Sequence, residues 1–326
     1  MKLSIVIICL NEQRHLARCL DAIFNADHAD LTIEVIVADG GSTDSTLDIA
    51  RSYNVKIVHS PRGIPRQRNA GGWAATGDLL AYVDSDVQLL PGWFVAVRNN
   101  FSIDSNKIVG SAAVMPENVS WIARAYALHR CDPNIESPSN KNEVERYLST
   151  QSLVMGRNVF EQVGGFREDL YVDEDTEFIL QAKKLGIPLW CDQKLAYIHH
   201  GEPPSAKAFF QRVKWGANYK AWYISIIRGQ WSKILRMQYI YGLVFAGLTS
   251  SLLAALVLGS LCSTRFVTLL ILGLLAASII LPGFRLSIKR KDGKHFHHYC
   301  AMYAILGAAN AVALLGFGAN KARRWR

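Results

Sequence analysis

The sequence predicts an α/β protein with a mostly parallel sheet flanked by helices, followed by helices that lie at or in a membrane. Three observations predict this fold class. Apolar runs and helical patterns alternate through residues 1–90, an order typical of a parallel sheet. Several of the runs end in acidic or amide side chains, and open α/β sheets bind ligands at such strand ends. Beyond residue 236, long stretches carry no charge.

The predicted strands and helices of the first part follow one another in order. Apolar or β-branched runs predict strands at residues 3–9, 32–38, 55–58 and 79–83. Helical spacing or a capping-box pattern predicts helices at residues 12–24, from Ser45, and at residues 64–75. Residues 101–200 are less regular, but an acidic first turn followed by Gly186 and Pro188 predicts a helix at residues 173–185.

The last part predicts membrane-spanning helices. The uncharged stretches at residues 237–264 and 266–284 each reach the roughly 20 apolar residues that cross a bilayer. A third stretch, at residues 299–320, is rich in Ala and Gly and is a weaker candidate. Cations at residues 285–294 and 321–326 favour the cytoplasmic side. We therefore expect two or three spans in the inner membrane, beginning with a hairpin whose outer turn is at residues 263–265.

A helix of another kind is predicted between these parts. Its aromatic and apolar stripe consists of Trp215, Tyr219, Trp222 and Ile226, with basic residues around it. This pattern suits a helix lying in the membrane interface, and a helix packed on the first part is the alternative. We thus expect three regions: a globular domain at residues 1–205, an interfacial region at 206–236 and a transmembrane region at 237–326.

Charge and cysteine content limit the function classes. The net charge of +9 does not indicate nucleic-acid binding, because the basic residues border the membrane segments. We do not expect the first apolar run to be a signal peptide, since the polar residues 11–14 interrupt it and no small-residue cleavage site follows. The six scattered cysteines form no CxxC pair, which favours reduced thiols and a first part that lies in the cytosol.

The tripeptide Asp84-Ser85-Asp86 follows a predicted buried strand. Residues two apart in an extended chain point to the same face. The two carboxylates can therefore converge on a hard divalent cation, Mg²⁺ or Mn²⁺, that carries phosphate oxygens. Two solvated turn acids are the alternative interpretation.

Four motifs occur in a fixed order around this pair. They are Asn11-Glu12, then Asp39-Gly40-Gly41-Ser42-Thr43-Asp44, then Arg68-Asn69-Ala70-Gly71, then Asp84-Ser85-Asp86. Together they resemble the nucleotide-binding half of the family-two glycosyltransferases, which have the GT-A fold, and the resemblance covers residues 1–230. One departure is Gly40, where the family's paired Asp-Asp has its second acid. The chain has neither a Walker Gly-Lys-Ser nor a dinucleotide fingerprint after its first strand.

The resemblance implies a donor site formed by Asn11, Glu12, Asp39, Arg68 and Asp84. Asp39 would contact the base of the donor nucleotide, and a turn or cap role is the alternative. Arg68 would bind the diphosphate, because a guanidinium forms bidentate, charge-assisted bonds with phosphate. Arg66 would take its place if the register of the loop differs.

The resemblance continues on the acceptor side. Gly164-Gly165-Phe166, followed by Glu174-Asp175, is similar to the family's signature there, with Glu177 in place of a later Asp. Inverting transfer needs a base for the acceptor hydroxyl. The resemblance places Glu174 and Asp175 on the family's catalytic Glu-Asp pair, and it implies that Asp175 is the base. The alternative is that these acids only cap the helix.

Two histidines follow the last predicted strand of the first part, His199 and His200. In many GT-A enzymes a His near this point completes the metal shell. The resemblance therefore implies a Mn²⁺ or Mg²⁺ site formed by Asp84, Asp86 and one of the two histidines, and we favour His200. A structural, hydrogen-bonded His is the alternative.

The sequence as a whole predicts a membrane-anchored, inverting glycosyltransferase. It would move one sugar from a nucleotide diphosphate sugar, first of all a UDP-sugar, to a hydroxyl of a lipid-linked acceptor in exopolysaccharide or envelope glycan synthesis. The segment 211–215 resembles the Gln-x-x-Arg-Trp of processive synthases, but Lys214 stands at the Arg position, so a single transfer is expected. The alternatives are transfer to polyprenyl phosphate, a nucleotidyltransferase and a non-catalytic membrane scaffold.

Overall fold

The fold is taken from a computed structural model of the chain, which describes residues 1–116, 118–130, 148–170, 174–216, 233–258 and 265–315. The described chain forms two compact units. The first consists of residues 1–118 and 130–202, and the second of residues 119–129 and 203–326. The basic tail at residues 321–326 and most of the interfacial stripe lie outside the described residues.

The first unit is built on a seven-stranded sheet with the order β3-β2-β1-β4-β7-β6-β8. The strands are β1 (Lys2–Cys9), β2 (Thr32–Asp39), β3 (Lys56–His59), β4 (Leu79–Asp84), β6 (Ile108–Gly110), β7 (Ser152–Gly156) and β8 (Leu189–Cys191). Strands β3, β2, β1 and β4 are parallel to one another, and β7 runs antiparallel to β4 and β6. A second, two-stranded sheet pairs β5 (Val87–Leu89) with β9 (Tyr197–His199). The predicted mostly parallel sheet is confirmed.

Helices cover both faces of the large sheet. They are α1 (Leu16–Phe24), α2 (Thr46–Arg51), α3 (Ile64–Ala74), α4 (Trp93–Phe101), α6 (Arg157–Val163) and α7 (Glu174–Lys184). Successive residues of a strand point to opposite faces, so Ile5 and Ile7 of β1 belong to one hydrophobic core and Val6 to the other. Strands buried on both faces read as continuous apolar runs, which is why β1 and β4 are visible in the sequence.

The second unit is helical. It contains α5 (Trp121–Arg130), α8 (Ala206–Gly216), α9 (Lys233–Leu258), α10 (Arg265–Lys289), a short 3₁₀ turn (Gly293–His295) and α11 (Phe296–Leu315). Its core joins Ile122 of α5 and Phe209 of α8 to Tyr299 and Met302 of α11. The chain therefore enters this unit once at residues 119–129 and again from residue 203.

One helix in the described part of the chain is long and apolar enough to cross a membrane, and it covers Thr268–Lys289 of α10. Its mean hydropathy is 2.2, and only 17% of its most apolar window is buried. A shorter apolar segment, Ile240–Leu252, lies in α9. The further spans predicted from the sequence stay a prediction, and the predicted outer turn lies mostly in residues 259–264, outside the described residues.

Candidate active site

The carboxyl ends of three parallel strands bring the predicted donor residues to one edge of the sheet. In the register of the sheet, Cys9 of β1 lies beside Asp39 of β2, and Ile8 lies beside Asp84 of β4. Because parallel strands end at the same edge, the loops after them share that edge. The motifs that follow β1, β2 and β4 therefore form one site.

Asn11 ties the loop after β1 to the loop after β2. Its backbone has a φ of 58°, in the left-handed region that Asn tolerates better than most residues. Its side-chain oxygen accepts a hydrogen bond from the Thr43 amide at 2.9 Å, and its own amide donates to Ser42 Oγ at 3.0 Å. The predicted donor residue Asn11 thus has a structural task in this loop.

Asp39 is 1% exposed and is held by its own turn. Its carboxylate accepts hydrogen bonds from the amides of Gly41 at 3.0 Å and Ser42 at 3.1 Å. Turns of this kind, in which a carboxylate accepts amides two and three residues on, fix the side chain locally, and His59 Nδ1 lies 3.8 Å from Asp39 Oδ2. Asp39 therefore has a defined orientation at the carboxyl end of β2.

The departure from the family pattern at Gly40 has a structural reason. Gln67 of α3 is buried against this position, and a Cβ on Gly40 would come within 2.7 Å of Gln67 Oε1. Gln67 Nε2 donates to the carbonyls of Cys9 at 2.7 Å and Ala38 at 3.0 Å. Gln67 thus joins the ends of β1 and β2 and occupies the space that a side chain at residue 40 would need.

Asp86 lies beside His199. Asp86 Oδ2 is 3.1 Å from His199 Nε2, and His199 Nδ1 is 3.0 Å from Glu202 Oε1. Although burial opposes protonation, the bonds to Asp86 and Glu202 raise the pKa of His199 to about 9. A Cβ at Gly201 would overlap Asp86 Oδ2, so only glycine leaves room for this carboxylate.

His200 occupies a different environment. Its ring nitrogen Nε2 lies 2.9 Å from Gln88 Oε1 of β5. The structure therefore brings His199 to the Asp pair, whereas the sequence favoured His200 and left His199 open. The physical reason is that successive side chains of an extended chain point to opposite faces. Tyr197 and His199 of β9 are buried, while Ile198 and His200 are half-buried on the other face.

The carboxylates at this edge crowd one another. Burial, followed by the charges of Asp86 and Asp84, raises the pKa of Glu12 to about 7. Burial raises the pKa of Asp84 against the opposing charge of Arg68, and Asp86 adds to the rise. Like charges held together disfavour the ionised forms, and a divalent cation would offset them.

The ligand chemistry of Asp84, Asp86 and His199 fits Mn²⁺ or Mg²⁺, because oxygen ligands suit both ions and imidazole suits the transition metal. Among the described residues, however, no group of three or more His, Cys, Asp or Glu side chains is arranged to hold a metal ion by itself. Other ligands, such as phosphate oxygens, would have to complete the shell.

Arg68 is enclosed between two acids. Its Nη1 donates to Glu174 Oε1, and its Nη2 lies 3.3 Å from Asp84 Oδ1. The guanidinium side chain is 6% exposed and lies 5.7 Å from the ring centroid of Phe166. Burial raises the pKa of Glu174, and Arg68 opposes that rise. The residue predicted to bind a diphosphate is thus engaged by two other predicted site residues.

Asn69, the next residue of α3, holds the turn before α7. Its Oδ1 accepts from the Phe166 amide at 2.7 Å, and its Nδ2 donates to the Phe166 carbonyl at 2.8 Å. Gly165 has a φ of 81°, and a Cβ there would lie 2.8 Å from Asn69 Oδ1. The Gly-Gly-Phe turn is therefore shaped by α3.

Asp175 lies in the first turn of α7 and is half-buried. Its Oδ1 accepts a hydrogen bond from the Thr176 amide at 2.7 Å, and its charge acts on both Arg68 and Asp84. The neighbouring Glu174 is buried and bound to Arg68. Of the two predicted catalytic acids, Asp175 is therefore the one that retains access to solvent. Asp173, which the sequence places beside them, lies outside the described residues.

A cavity of about 560 Å³ opens beside these residues, a size within the range of small-molecule sites. It is lined by Asn11, Glu12, Gln13, Arg14, His15, Thr43, Asp44, Asp86 and Gly201. The sequence predicted three of these as site residues, Asn11, Glu12 and Asp86. It missed Gly201 and His15, for which the only signal was their position next to a recognised motif.

Comparison with known proteins shows which proteins the chain is similar to. Residues 4–162 match the family described as Glycosyl transferase family 2. The chain is 24% identical over 222 residues to the succinoglycan biosynthesis protein ExoA of Rhizobium meliloti (strain 1021), covering 65% of this chain and 67% of that protein. It is 27% identical over 165 residues to the pre-mycofactocin glycosyltransferase of Mycobacterium tuberculosis (strain CDC 1551 / Oshkosh), covering 48% of this chain but only 35% of that protein.

A solved structure shares the fold. The mannosyltransferase PcManGT from Pyrobaculum calidifontis, solved in complex with GDP-Man and Mn²⁺, superposes with a TM-score of 0.61 at 18% identity, covering 96% of this chain and 86% of that one. Residues 4–162 therefore carry a Glycosyl transferase family 2 domain, and the described fold is GT-A-like.

Proposed function

We propose that the protein is a metal-dependent, inverting glycosyltransferase that moves one sugar from a nucleotide diphosphate sugar to an acceptor hydroxyl. The observation that carries this proposal is the convergence of Asp84, Asp86 and His199 with the pair Glu174-Asp175, through Arg68, at one edge of the sheet. A donor site and a base are both needed for inversion, and this edge offers candidates for each.

The donor end is assigned to the loops after β1, β2 and β4. Asp39, fixed by its own turn, would accept a hydrogen bond from the nucleotide base. Asp84, Asp86 and His199 would hold Mn²⁺ or Mg²⁺, which when bound offsets charge on the departing diphosphate. Asn11 and Glu12 line the cavity beside them. We expect a UDP-sugar first, while the solved relative that shares the fold binds GDP-Man.

The acceptor end is assigned to α7. Asp175 would take the proton from the acceptor hydroxyl as the hydroxyl oxygen attacks the anomeric carbon, so that the bond to the diphosphate breaks on the opposite face. Its half-buried position leaves it reachable by an acceptor. Glu174 and Arg68 would hold the first turn of α7 against β4, which positions the base relative to the donor.

The acceptor is proposed to be lipid-linked, with the protein at the inner membrane. The mostly exposed, apolar segment Thr268–Lys289 supports this part, since a core helix of that hydropathy would be buried. ExoA is by its name a succinoglycan biosynthesis protein, which supports a role in exopolysaccharide or envelope glycan synthesis. Transfer to polyprenyl phosphate is the second candidate. Its anionic phosphate oxygen would then be the nucleophile, and that oxygen needs no base to remove a proton.

The test is release of nucleoside diphosphate from a panel of nucleotide sugars, with and without Mn²⁺, followed by assignment of the anomeric configuration of the product by NMR. We expect metal-dependent release and an inverted anomer. Release of pyrophosphate instead would indicate a nucleotidyltransferase, and no turnover with any donor despite nucleotide binding would indicate a non-catalytic scaffold. A retained anomer would refute the base assigned to Asp175.

A further inference from the structure

An apolar face on α10 ends at a group of cations. Leu281, Phe284 and Ile288 are 64%, 55% and 61% exposed. Their spacing of three and four residues places them on one face of the helix. A contiguous exposed apolar face of this kind marks a surface that contacts a membrane or another apolar partner.

The cations begin on the same face. Arg285 follows Phe284 and Lys289 follows Ile288, while Lys291 and Lys294 lie in the turn after the helix, and all four are exposed. Within the described residues, none of the four forms an ion pair. We call these four residues the basic corner. Residues 285–298 contain five Lys and Arg residues and a single acid, Asp292.

That single acid is engaged inside the turn. Asp292 accepts a hydrogen bond from the Tyr299 hydroxyl at 2.8 Å, and its carboxylate lies 2.7 Å from His295 Nδ1. Next to it, the Nε and Nη2 atoms of Arg290 donate to the Leu128 carbonyl of α5 at 2.8 and 2.6 Å. These bonds fix the turn, so the basic corner is displayed on an ordered frame and its charge is not neutralised from within.

Amphipathic rings lie at the same level of the unit. Trp121 of α5 stacks on His298 of α11 with ring centroids 5.1 Å apart, and His298 stacks in turn on His295 at 5.4 Å. Trp, whose ring has an apolar body and a polar tip, is enriched where a membrane meets water. Apolar side chains, such rings and exposed cations thus follow one another along the end of α10 and the turn.

We propose that the basic corner binds the phosphate groups of anionic lipid headgroups. Charge complementarity carries the proposal: an apolar face enters the acyl region, and the cations that end it meet phosphate at the boundary. It rests on the membrane placement in the proposed function and names the chemistry recognised there. A nucleic acid would offer the same phosphates, but the exposed apolar face beside the corner would have no partner on it.

The test uses the full chain purified in detergent. Native mass spectrometry counts the lipid molecules that stay bound after incubation with equal amounts of phosphatidylglycerol and phosphatidylcholine of the same acyl chains. We expect a clear preference for phosphatidylglycerol. Lys289→Glu with Lys291→Glu should reduce that preference on the order of tenfold, because two attractive charges become repulsive.

A matched control carries the same change of charge elsewhere. Lys184 and Lys194 are exposed residues of the first unit, and Lys184→Glu with Lys194→Glu should leave the lipid preference as in the wild type. Where the charge-reversed variant does not fold, Lys289→Gln with Lys291→Gln gives the same test with a smaller expected loss.

Three results would overturn the proposal. The first is equal binding of phosphatidylglycerol and phosphatidylcholine by the wild type. The second is an unchanged preference for phosphatidylglycerol in the folded Lys289 and Lys291 variants. Displacement of phosphatidylglycerol by an equal concentration of inorganic phosphate would point to a free phosphate ligand instead. Donor hydrolysis without lipid is assayed separately, so a failure of the proposed enzyme activity is distinguishable from a failure of lipid binding.

Discussion

Arg68 on α3 donates to Glu174 on α7, a residue 106 positions further along the chain. The same guanidinium reaches Asp84 at the end of β4. One buried cation therefore connects the carboxylate proposed to hold the metal with the acid next to the proposed base. Removing one partner of a buried ion pair leaves an uncompensated charge, which is strongly unfavourable.

Arg68→Met should therefore lower the free energy of unfolding by about 3–5 kcal/mol, measured by urea unfolding of the full chain. Glu174→Met in the same chain should recover much of this loss, because the buried acid is then absent as well. Nucleotide binding by calorimetry decides the role: if Arg68 binds the diphosphate directly, the double variant will be stable but will not bind nucleotide. Retained binding in the double variant would support the positioning role.

Asp175→Asn should lower turnover on the order of 100-fold or more, because the amide keeps the shape of the side chain but cannot accept a proton. Donor affinity should be almost unchanged. Steady-state rates and nucleotide titration measure the two quantities separately. Glu161→Gln on α6 is the control, since Glu161 is an exposed acid paired with Arg157, and it should behave as wild type. Lost donor binding with a high residual rate would place Asp175 in the donor site.

Asp86→Ala should abolish metal-dependent turnover, and His199→Ala should weaken it strongly. His200→Ala should have a much smaller effect, because its ring contacts Gln88 instead of the Asp pair. The measurement is the Mn²⁺ concentration at half-maximal rate for each variant, with full activity in excess EDTA as the result that excludes a metal role. A larger shift for His200→Ala than for His199→Ala would reverse the assignment.

Gly40→Ala should weaken nucleotide binding, because the new Cβ meets Gln67 Oε1 at 2.7 Å and would push this side chain off the Cys9 and Ala38 carbonyls beside Asp39. Gln67→Ala alone removes the bonds to Cys9 and Ala38 and should also weaken it. The two changes together should cost less than the sum of the single changes, since they relieve one shared contact. Strictly additive losses in nucleotide affinity would contradict this packing.

Glu34 provides a pH dependence of stability away from the site. Burial raises the pKa of the Glu34 carboxyl, but hydrogen bonds from Ser4 and Thr76 outweigh burial and lower this pKa below its ordinary value of 4.5. Because the folded pKa is the lower one, its contribution is complete above the unfolded pKa and is lost as pH falls through the folded pKa. Glu34→Gln should therefore cost about 1.5 kcal/mol in unfolding free energy at pH 7 and progressively less as the pH falls below the ordinary pKa of 4.5. If the difference in unfolding free energy between the wild type and Glu34→Gln does not change with pH, the charge of Glu34 does not stabilise the fold.

The sheet could be predicted because its central strands are buried on both faces and stand out as apolar runs. Strand β5 could not be, because Val87–Leu89 is short and pairs with β9, more than a hundred residues away. The same separation along the chain explains why the sequence does not decide between His199 and His200. Whether His199 or His200 faces Asp86 depends on the register of β9 against β5, and no periodicity within a three-residue strand specifies it.

The motif residues were found because they follow strand ends, and Asp39, Asp84 and Asp86 lie where that rule predicts. The two ion pairs of Arg68 were not visible in the sequence, and its predicted role as a diphosphate ligand stays a prediction. The family motif implies a phosphate ligand, but one acid beside Arg68 ends β4 and the other begins α7, so only the packing of α3 between these elements reveals the pair. Gln67 gave no signal, since one polar residue inside a helical pattern reads as a solvated position.

The route of the chain through α5 has a practical consequence for protein engineering. A single truncation after residue 202 would leave residues 119–129 in place while deleting Phe209, Tyr299 and Met302, the apolar neighbours of Ile122. The apolar residues of α5 would then be exposed to solvent and would promote aggregation. A stand-alone version of the first unit therefore calls for two edits: the cut at 202 and a replacement of the α5 stripe by polar side chains.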